Sequence, residues 1–355
     1  MRVIIRADAS VAVGTGHVMR CLAIAGELKK RGHNVRFLSR ELPGNLFGRI
    51  KQEGFEVLRL ASPSAPFEPA VKEPFHLPWL GVPLQNEIDE CRAVLERAGG
   101  CDLLLVDSYA LESEWESAAK PFCKTLAVLD DLYDRRHDCD VLIDYTLGRT
   151  PAAYGALVPS SCKLFCGLDY LPLRPEFAAL RSQIKPRNFP PQRILVTLGG
   201  TDPLNFTAPV LEALSVSPFK AALIDVVLTG GAPHLAANRD LSRRLGLNVN
   251  WQIDTRKMAE LILKTDLAIG AAGVSSYERA SLGLASLTLQ TGENQAGNLK
   301  ILAESGAIIA TTPDRLRADL NALDENAVRK TEAAALTLCD AQGLERFCDA
   351  LEQNV

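Results

Sequence analysis

Residues 2–32, RVIIRADASVAVGTGHVMRCLAIAGELKKRG, carry the pattern on which the fold reading turns. The run Val3 to Arg6 predicts a strand. A turn containing Gly14 and Gly16 follows. Within 17–32, Val18, Cys21, Leu22, Ile24, Ala25 and Leu28 recur near a 3.6-residue period and predict a helix. Gly32 closes that helix by supplying a left-handed residue. Further along, NVRFLSR (34–40), FEVLRL (55–60), DLLLVDS (102–108) and TLAVLDD (125–131) read as strands, with helical stretches between several of them. Strand–helix–strand order argues for a parallel sheet with helices on both faces.

The pattern then restarts. RILVTLGG (193–200), IDVVLTGG (224–231), NVNWQID (248–254), LAIGAAG (267–273), ASLTLQTG (285–292) and AIIATT (307–312) predict six more strands, again separated by helices. SQIKPRNFPPQ (182–192), rich in proline and charge, reads as the linker. The fold class expected is therefore α/β: two doubly wound, Rossmann-like domains, 1–185 and 190–355, facing each other across a cleft. The last helix, near 341–352, fits either domain. Ligands of such sheets bind beyond the carboxyl ends of the strands, so the cleft is the expected site. Residues 61–83, with six prolines and no period, read as a long irregular loop, a kind of segment that is often functional.

Composition narrows the function classes. A chain of 355 residues exceeds one ordinary core, which agrees with two domains. A net charge of −4 gives no electrostatic footprint for nucleic acid. No apolar run reaches membrane-spanning length, so no membrane insertion is expected. Arg6 and Asp8 fall too early for a signal-peptide core, and the chain reads as cytoplasmic. The nine scattered cysteines form no CxxC pair and read as reduced thiols. The five histidines show no metal-ligand spacing; no metal and no cofactor are inferred.

The opening loop is not a dinucleotide fingerprint. The third glycine of GxGxxG would fall on Met19, and the second strand ends in Ser39-Arg40. Its glycines still let backbone pass close to a ligand, and the helix start offers free N–H groups to an anion. His17 sits at that helix start. The positive end of the helix dipole disfavours imidazolium, and a neutral imidazole accepts a proton as a general base must. The alternative is that His17 caps the turn. Asp8 either orients His17 or caps a turn. Arg6 and Arg20 flank the loop as candidate phosphate contacts, although a surface ion pair is the commoner fate of a lone arginine. Asp130-Asp131 reads as a loop or a contact to a substrate hydroxyl.

The second half offers three turns. In VTLGGTDPLN (196–205), Gly199, Gly200 and Thr201 are candidates to cradle phosphate. In GAAGVSSYERASLG (270–283), the backbone and hydroxyls of Gly273, Val274, Ser275 and Ser276 suit a diphosphate, and Glu278 suits vicinal ribose hydroxyls. The alternative there is a capping box, with Ser275 as N-cap and Glu278 three residues on. In TGENQAGN (291–298), Gln295 and Asn298 start the following helix.

Taken together, the strand–GxGH–helix start, GGTD, GAAGVSSYE and ENQAGN resemble the two-domain GT-B sugar-nucleotide enzymes. Residues 251–283 are similar to the uridine-binding region of the lipid-linked N-acetylglucosamine transferase, MurG. The whole chain more closely resembles the UDP-2,4-diacetamido-2,4,6-trideoxy-β-L-altropyranose hydrolase (PseG) family of pseudaminic acid synthesis. RADASVAVGTGHVMRCLAIAGEL (6–28) and GLDYLPLRPEF (167–177) carry that likeness. The resemblance implies a metal-independent, inverting hydrolase of a UDP-sugar. UDP would lie on the second domain: uracil near the backbone of Lys257 and Met258, ribose on Glu278, and diphosphate on Gly273 to Ser276 and the Gly199–Gly200–Thr201 turn. His17 would activate water against the anomeric carbon, and Asp8, Gly14, Gly16, Arg20 and Tyr170 would line the sugar side. UDP is a good leaving group, so charge stabilisation replaces the second carboxylate that an ordinary glycosidase requires. A GT-B glycosyltransferase with a sugar or lipid acceptor is the alternative; a UDP-sugar-binding module without catalysis is the third. The chain is expected to be a monomer.

Overall fold

Strand β1, Arg2–Ala7, lies inside a sheet of seven parallel strands. The others are β2 Asn34–Arg40, β3 Glu56–Leu60, β4 Cys101–Asp107, β5 Cys123–Leu129, β6 Val141–Asp144 and β7 Lys163–Cys166, in the order β3-β2-β1-β4-β5-β6-β7. The computed structural model describes residues 1–65, 67 and 76–355, and only the backbone of Asn294. Val3, Ile4 and Ile5 are fully buried. A central parallel strand is covered on both faces, which is why its sequence runs apolar without alternating. Five of these strands match the sequence reading. β6 and β7 are additional; VLID and KLFC are four residues each, too short to carry a period.

The strand order reverses between β1 and β4, which pair with Ala7 opposite Asp107. At such a reversal the two outgoing connections leave on opposite faces of the sheet, and a crevice opens at the carboxyl ends. The loop after β1 and its helix, Gly16–Lys30, start there. That helix stops at Gly32, whose φ of +87° is left-handed, with the His33 N–H donating to the Leu28 carbonyl.

The second sheet holds β8 Arg193–Thr197, β9 Leu223–Leu228, β10 Val249–Ile253, β11 Leu267–Ala271, β12 Ser286–Leu289 and β13 Ile309–Ala310. Its order is β10-β9-β8-β11-β12-β13, so its reversal lies between β8 and β11. The turns after those two strands, 198–206 and 272–274, are the two glycine turns singled out in the sequence.

The chain divides into Met1–Arg174 with Gln342–Val355, and Pro175–Ala341. The crossing into the second unit thus precedes the proline-rich stretch expected to be the linker. Arginines explain it: Arg181 donates to the carbonyls of Ser281, Leu336 and Cys339, and Arg187 to those of Ile262, Thr265, Leu282 and Gly283. Both side chains bind this stretch to the second unit. The last helix, Gly343–Glu352, returns to the first unit. Arg31 bridges Asp349 and Glu352 at 2.6 and 2.7 Å, and a side chain at Gly343 would strike the Leu171 carbonyl. Most of the second half of 61–83 is short ordered structure, with a 3-10 helix at Leu77–Leu80; residues 66 and 68–75 lie outside the described residues. Among the described residues no helix is long and apolar enough to cross a membrane.

Candidate active site

His17 occupies the first turn of the helix Gly16–Lys30 and is 7% exposed. The chain reaches it through a tight loop. Gly14 takes a φ of +79°, its N–H donates to the Ser10 carbonyl, and the Ser10 hydroxyl accepts from the Val13 N–H. A side chain at Gly14 would meet nothing, so its glycine answers to backbone geometry alone. The imidazole stands edge-on to Tyr109, with ring centroids 4.5 Å apart, and Trp79 lies at 6.4 Å. His17 Nε2 is 4.0 Å from Asp107 Oδ1. A recess with room for about one water molecule is lined by Asp8, Val13, His17, Trp79, Leu80, Asp107 and Ser108.

Burial pulls the His17 pKa below the ordinary value of 6.5, and the Arg20 charge adds to that pull against Asp107. The imidazole is therefore neutral at neutral pH. Burial, and not the helix end expected from the sequence, is the leading cause. Burial works to raise Asp107 as well, but Arg20 overcomes it and holds that carboxylate ionised, below the usual range. A neutral base thus stands beside a fixed negative charge, an arrangement that favours the imidazolium once a proton is taken.

Several sequence expectations change here. Asp8 does not bond His17: its carboxylate accepts from the Ser39 hydroxyl at 3.1 Å and the Arg40 N–H at 2.7 Å, and pairs with Arg6 at 2.7 Å. Arg6 and Arg20 are not surface ion pairs. Arg6 is fully buried between Asp8 and Glu87. Arg20 clasps Asp107 with two bonds of 2.6 and 2.7 Å, meets Asp131 at 2.7 Å and also bonds the Tyr145 hydroxyl. Asp131 in turn accepts from Tyr109 and Tyr145, and Asp130 is buried against Tyr154 and Arg135. Of these groups Asp107, Arg20, Asp131 and Asp8 set the charge around His17. Gly16 opens the helix, whereas Tyr170 packs on Phe165 and is not among the recess residues.

Asp107, Tyr109 and Trp79 were missed by sequence reasoning. Asp107 and Ser108 end the run DLLLVDS; a polar pair at the carboxyl end of an apolar strand was the available signal. Trp79 comes from the irregular stretch 61–83, on its 3-10 helix Leu77–Leu80. A second cavity, about 680 Å³, lies beside it against Leu42, Pro43, Pro63 and Pro78.

In the second unit, the turn after β11 gathers Gly273 to Ser276 with Gln295 and Asn298. Asn298 Nδ2 donates to the Ala272 carbonyl at 2.6 Å, its Oδ1 accepts from the Tyr277 hydroxyl, and Gln295 Oε1 accepts from the Thr291 N–H at 3.0 Å. The helix Ser275–Ser281 is capped by Val274 with no side-chain bond, so Ser275 is not the N-cap that the alternative capping-box reading requires. Glu278 is half-buried one turn in. After β8, Gly199 has a φ of +107° and Thr201 is exposed, while Asp202 accepts from the N–H groups of Phe206 and Thr207, both at 2.8 Å. That carboxylate takes the donors of the helix Thr207–Ser215 and leaves the glycine turn itself as the open part. Lys257 is exposed and, with Met258, starts the short helix after β10.

No family model matches the chain. It is 25% identical over 301 residues to an uncharacterised protein of Methanocaldococcus jannaschii, across 83% of this chain and 57% of that one. It is 25% identical over 308 residues to the UDP-2,4-diacetamido-2,4,6-trideoxy-β-L-altropyranose hydrolase of Campylobacter jejuni, across 86% of this chain and 97% of that one. The crystal structure of Acinetobacter baumannii MurG superposes with a TM-score of 0.65 at 17% identity, over 99% of both chains. The fold is therefore GT-B.

Proposed function

We propose that this chain, PseG-like in sequence and GT-B in fold, is a hydrolase that releases UDP from UDP-2,4-diacetamido-2,4,6-trideoxy-β-L-altropyranose with inversion at the anomeric carbon. The observation that carries the reading is His17, a buried neutral imidazole opening on a water-sized recess beside the ionised Asp107. A water in that recess passes a proton to His17 as its oxygen attacks C1. The C1–O bond to the diphosphate breaks, and its electron pair leaves with UDP. Attack on the face opposite the leaving group inverts C1. Asp107 stabilises the imidazolium, and Arg20 keeps Asp107 charged.

The second unit holds UDP. Its diphosphate lies on Gly273–Ser276 and the Gly199–Thr201 turn, its ribose on Glu278 and its uracil near Lys257 and Met258. Asn298 ties the first of these turns through the Ala272 carbonyl, and Gln295, bonded to Thr291, belongs with it to the UDP side. Asp8, Gly14, Gly16, Arg20 and Tyr170 belong to the sugar side, Arg20 acting through Asp107. The protein acts as a monomer in pseudaminic acid synthesis, in the cytoplasm.

The test is turnover of the UDP-sugar in ¹⁸O-labelled water with no acceptor present. Label in the sugar hydroxyl at C1 is expected. Label in UDP would place attack at phosphorus and overturn the mechanism. UDP release only on adding an acceptor would make the protein a transferase, and binding without release a carrier.

A further inference from the structure

Arg279 is fully buried beneath the turn after β11. Its Nη2 donates to the Ala271 carbonyl at 2.9 Å and its Nη1 to Ser275 Oγ at 3.2 Å, while the buried Nε has no hydrogen-bond partner. No carboxylate oxygen among the described residues comes within 4.0 Å of it. Of the other buried arginines, Arg6 and Arg40 each touch a carboxylate within 3 Å, whereas Arg187 fills its donors on four backbone carbonyls and has Glu332 at 4.0 Å. A buried cation without a counter-ion is costly, because the hydrogen bonds of Arg279 to Ala271 and Ser275 replace only part of its hydration. Burial accordingly pulls the Arg279 pKa down to about 10, opposed only by the more distant Glu278.

The chain also makes room for this side chain. A Cβ at Gly270, in β11, would stand 2.5 Å from Arg279 Nη1. Gly270 is glycine for the guanidinium and not for a ligand. Ser275 Oγ accepts from Arg279, so its own proton is free to be donated outward from the half-buried turn.

We infer that Arg279 is a positioning residue for the diphosphate: a buried fixed charge under residues 271–276 whose counter-ion is the ligand. The inference rests on the proposed reading of that turn as the diphosphate seat. Arg279 acts through Ser275 and through its field at short range in a low-dielectric site, where one charge counts for far more than on the surface.

The experiment compares UDP, uridine and inorganic pyrophosphate binding by calorimetry to the wild-type chain, Arg279→Met and Gly270→Ala. Arg279→Met removes the charge and keeps the length; Gly270→Ala keeps the charge and displaces it. The expected result is UDP affinity lowered about tenfold or more in both variants, with uridine affinity within about twofold of wild type. Pyrophosphate binding falls in parallel with UDP. Equal losses for UDP and uridine, unchanged UDP affinity, or failure of both variants to fold would each show a structural staple and overturn the inference. A wild-type chain that binds no nucleotide sinks the UDP reading instead. Pyrophosphate then decides for Arg279 alone: binding that Arg279→Met abolishes supports it, and no binding or an indifferent variant overturns it.

Discussion

In the proposed mechanism His17 works as a base, and its surroundings keep it uncharged. Its pKa lies below 6.5, chiefly through burial, so the active form survives into mildly acid solution. The acid limb of kcat/KM is therefore expected to have its midpoint below pH 6.5, as initial rates across pH 4.5–8 would show; a midpoint above 6.5 contradicts the assignment. Glu278→Ala is expected to weaken UDP binding while leaving kcat little changed, read from KM and calorimetry together. A fall in kcat alone would move Glu278 into the chemistry. The turns at Gly14 and Gly199 were legible as turns because their signal is local: a glycine turn between a strand and a helix needs no partner to be noticed. Asp107 was not, because its partner Arg20 lies 87 residues away and only the sheet brings them together. Arg6 and Arg20 misled for the same reason; a charge inside an apolar run declares nothing about the distant carboxylate that allows its burial.

The elements around the site are fixed by buried polar ties. His137 Nδ1 meets Glu116, on the helix Ser113–Ala119, at 2.7 Å, and its Nε2 faces Asp130, after β5, at 3.7 Å. Burial works to lower the His137 pKa, but the two carboxylates raise it to about 9. A folded-state pKa above the unfolded 6.5 gives a contribution that is full below pH 6.5, declines as pH rises, and is gone above about 9. Urea unfolding of wild type against His137→Gln is expected to show that decline in wild type only; parallel pH profiles would refute it. The 3-10 helix Leu77–Leu80 brings Trp79 to His17 from a stretch without period, so its role was invisible in the sequence. Trp79→Ala is expected to lower kcat and spare UDP affinity, measured by steady-state rates and calorimetry. Loss of UDP affinity would contradict that placement. Strands β6 and β7 escaped notice because four residues fit a strand and a helix turn equally well.

At the scale of the molecule, the repeated strand–helix order made both doubly wound sheets legible, since period and punctuation recur in each half. The boundary was not, because it is set by the carbonyl partners of Arg181 and Arg187 and not by proline content. Nor was the return of the last helix, which buries Leu344, Phe347, Cys348 and Leu351 in the first unit. Each large apolar side chain buried adds about 1.5–3 kcal/mol. Ending the chain at Ala341 is therefore expected to destabilise the first unit by about 5 kcal/mol or more in denaturant unfolding, and an unchanged midpoint would show the helix to be dispensable. The division of labour between the units, chemistry on one and nucleotide on the other, is the central claim. Its most direct test is His17→Ala, assayed for acceptor-free UDP release and, in parallel, for UDP affinity. The account predicts release slowed about 10²–10⁴-fold with affinity unchanged; undiminished release, or a loss of affinity that accounts for the slower rate, would contradict it.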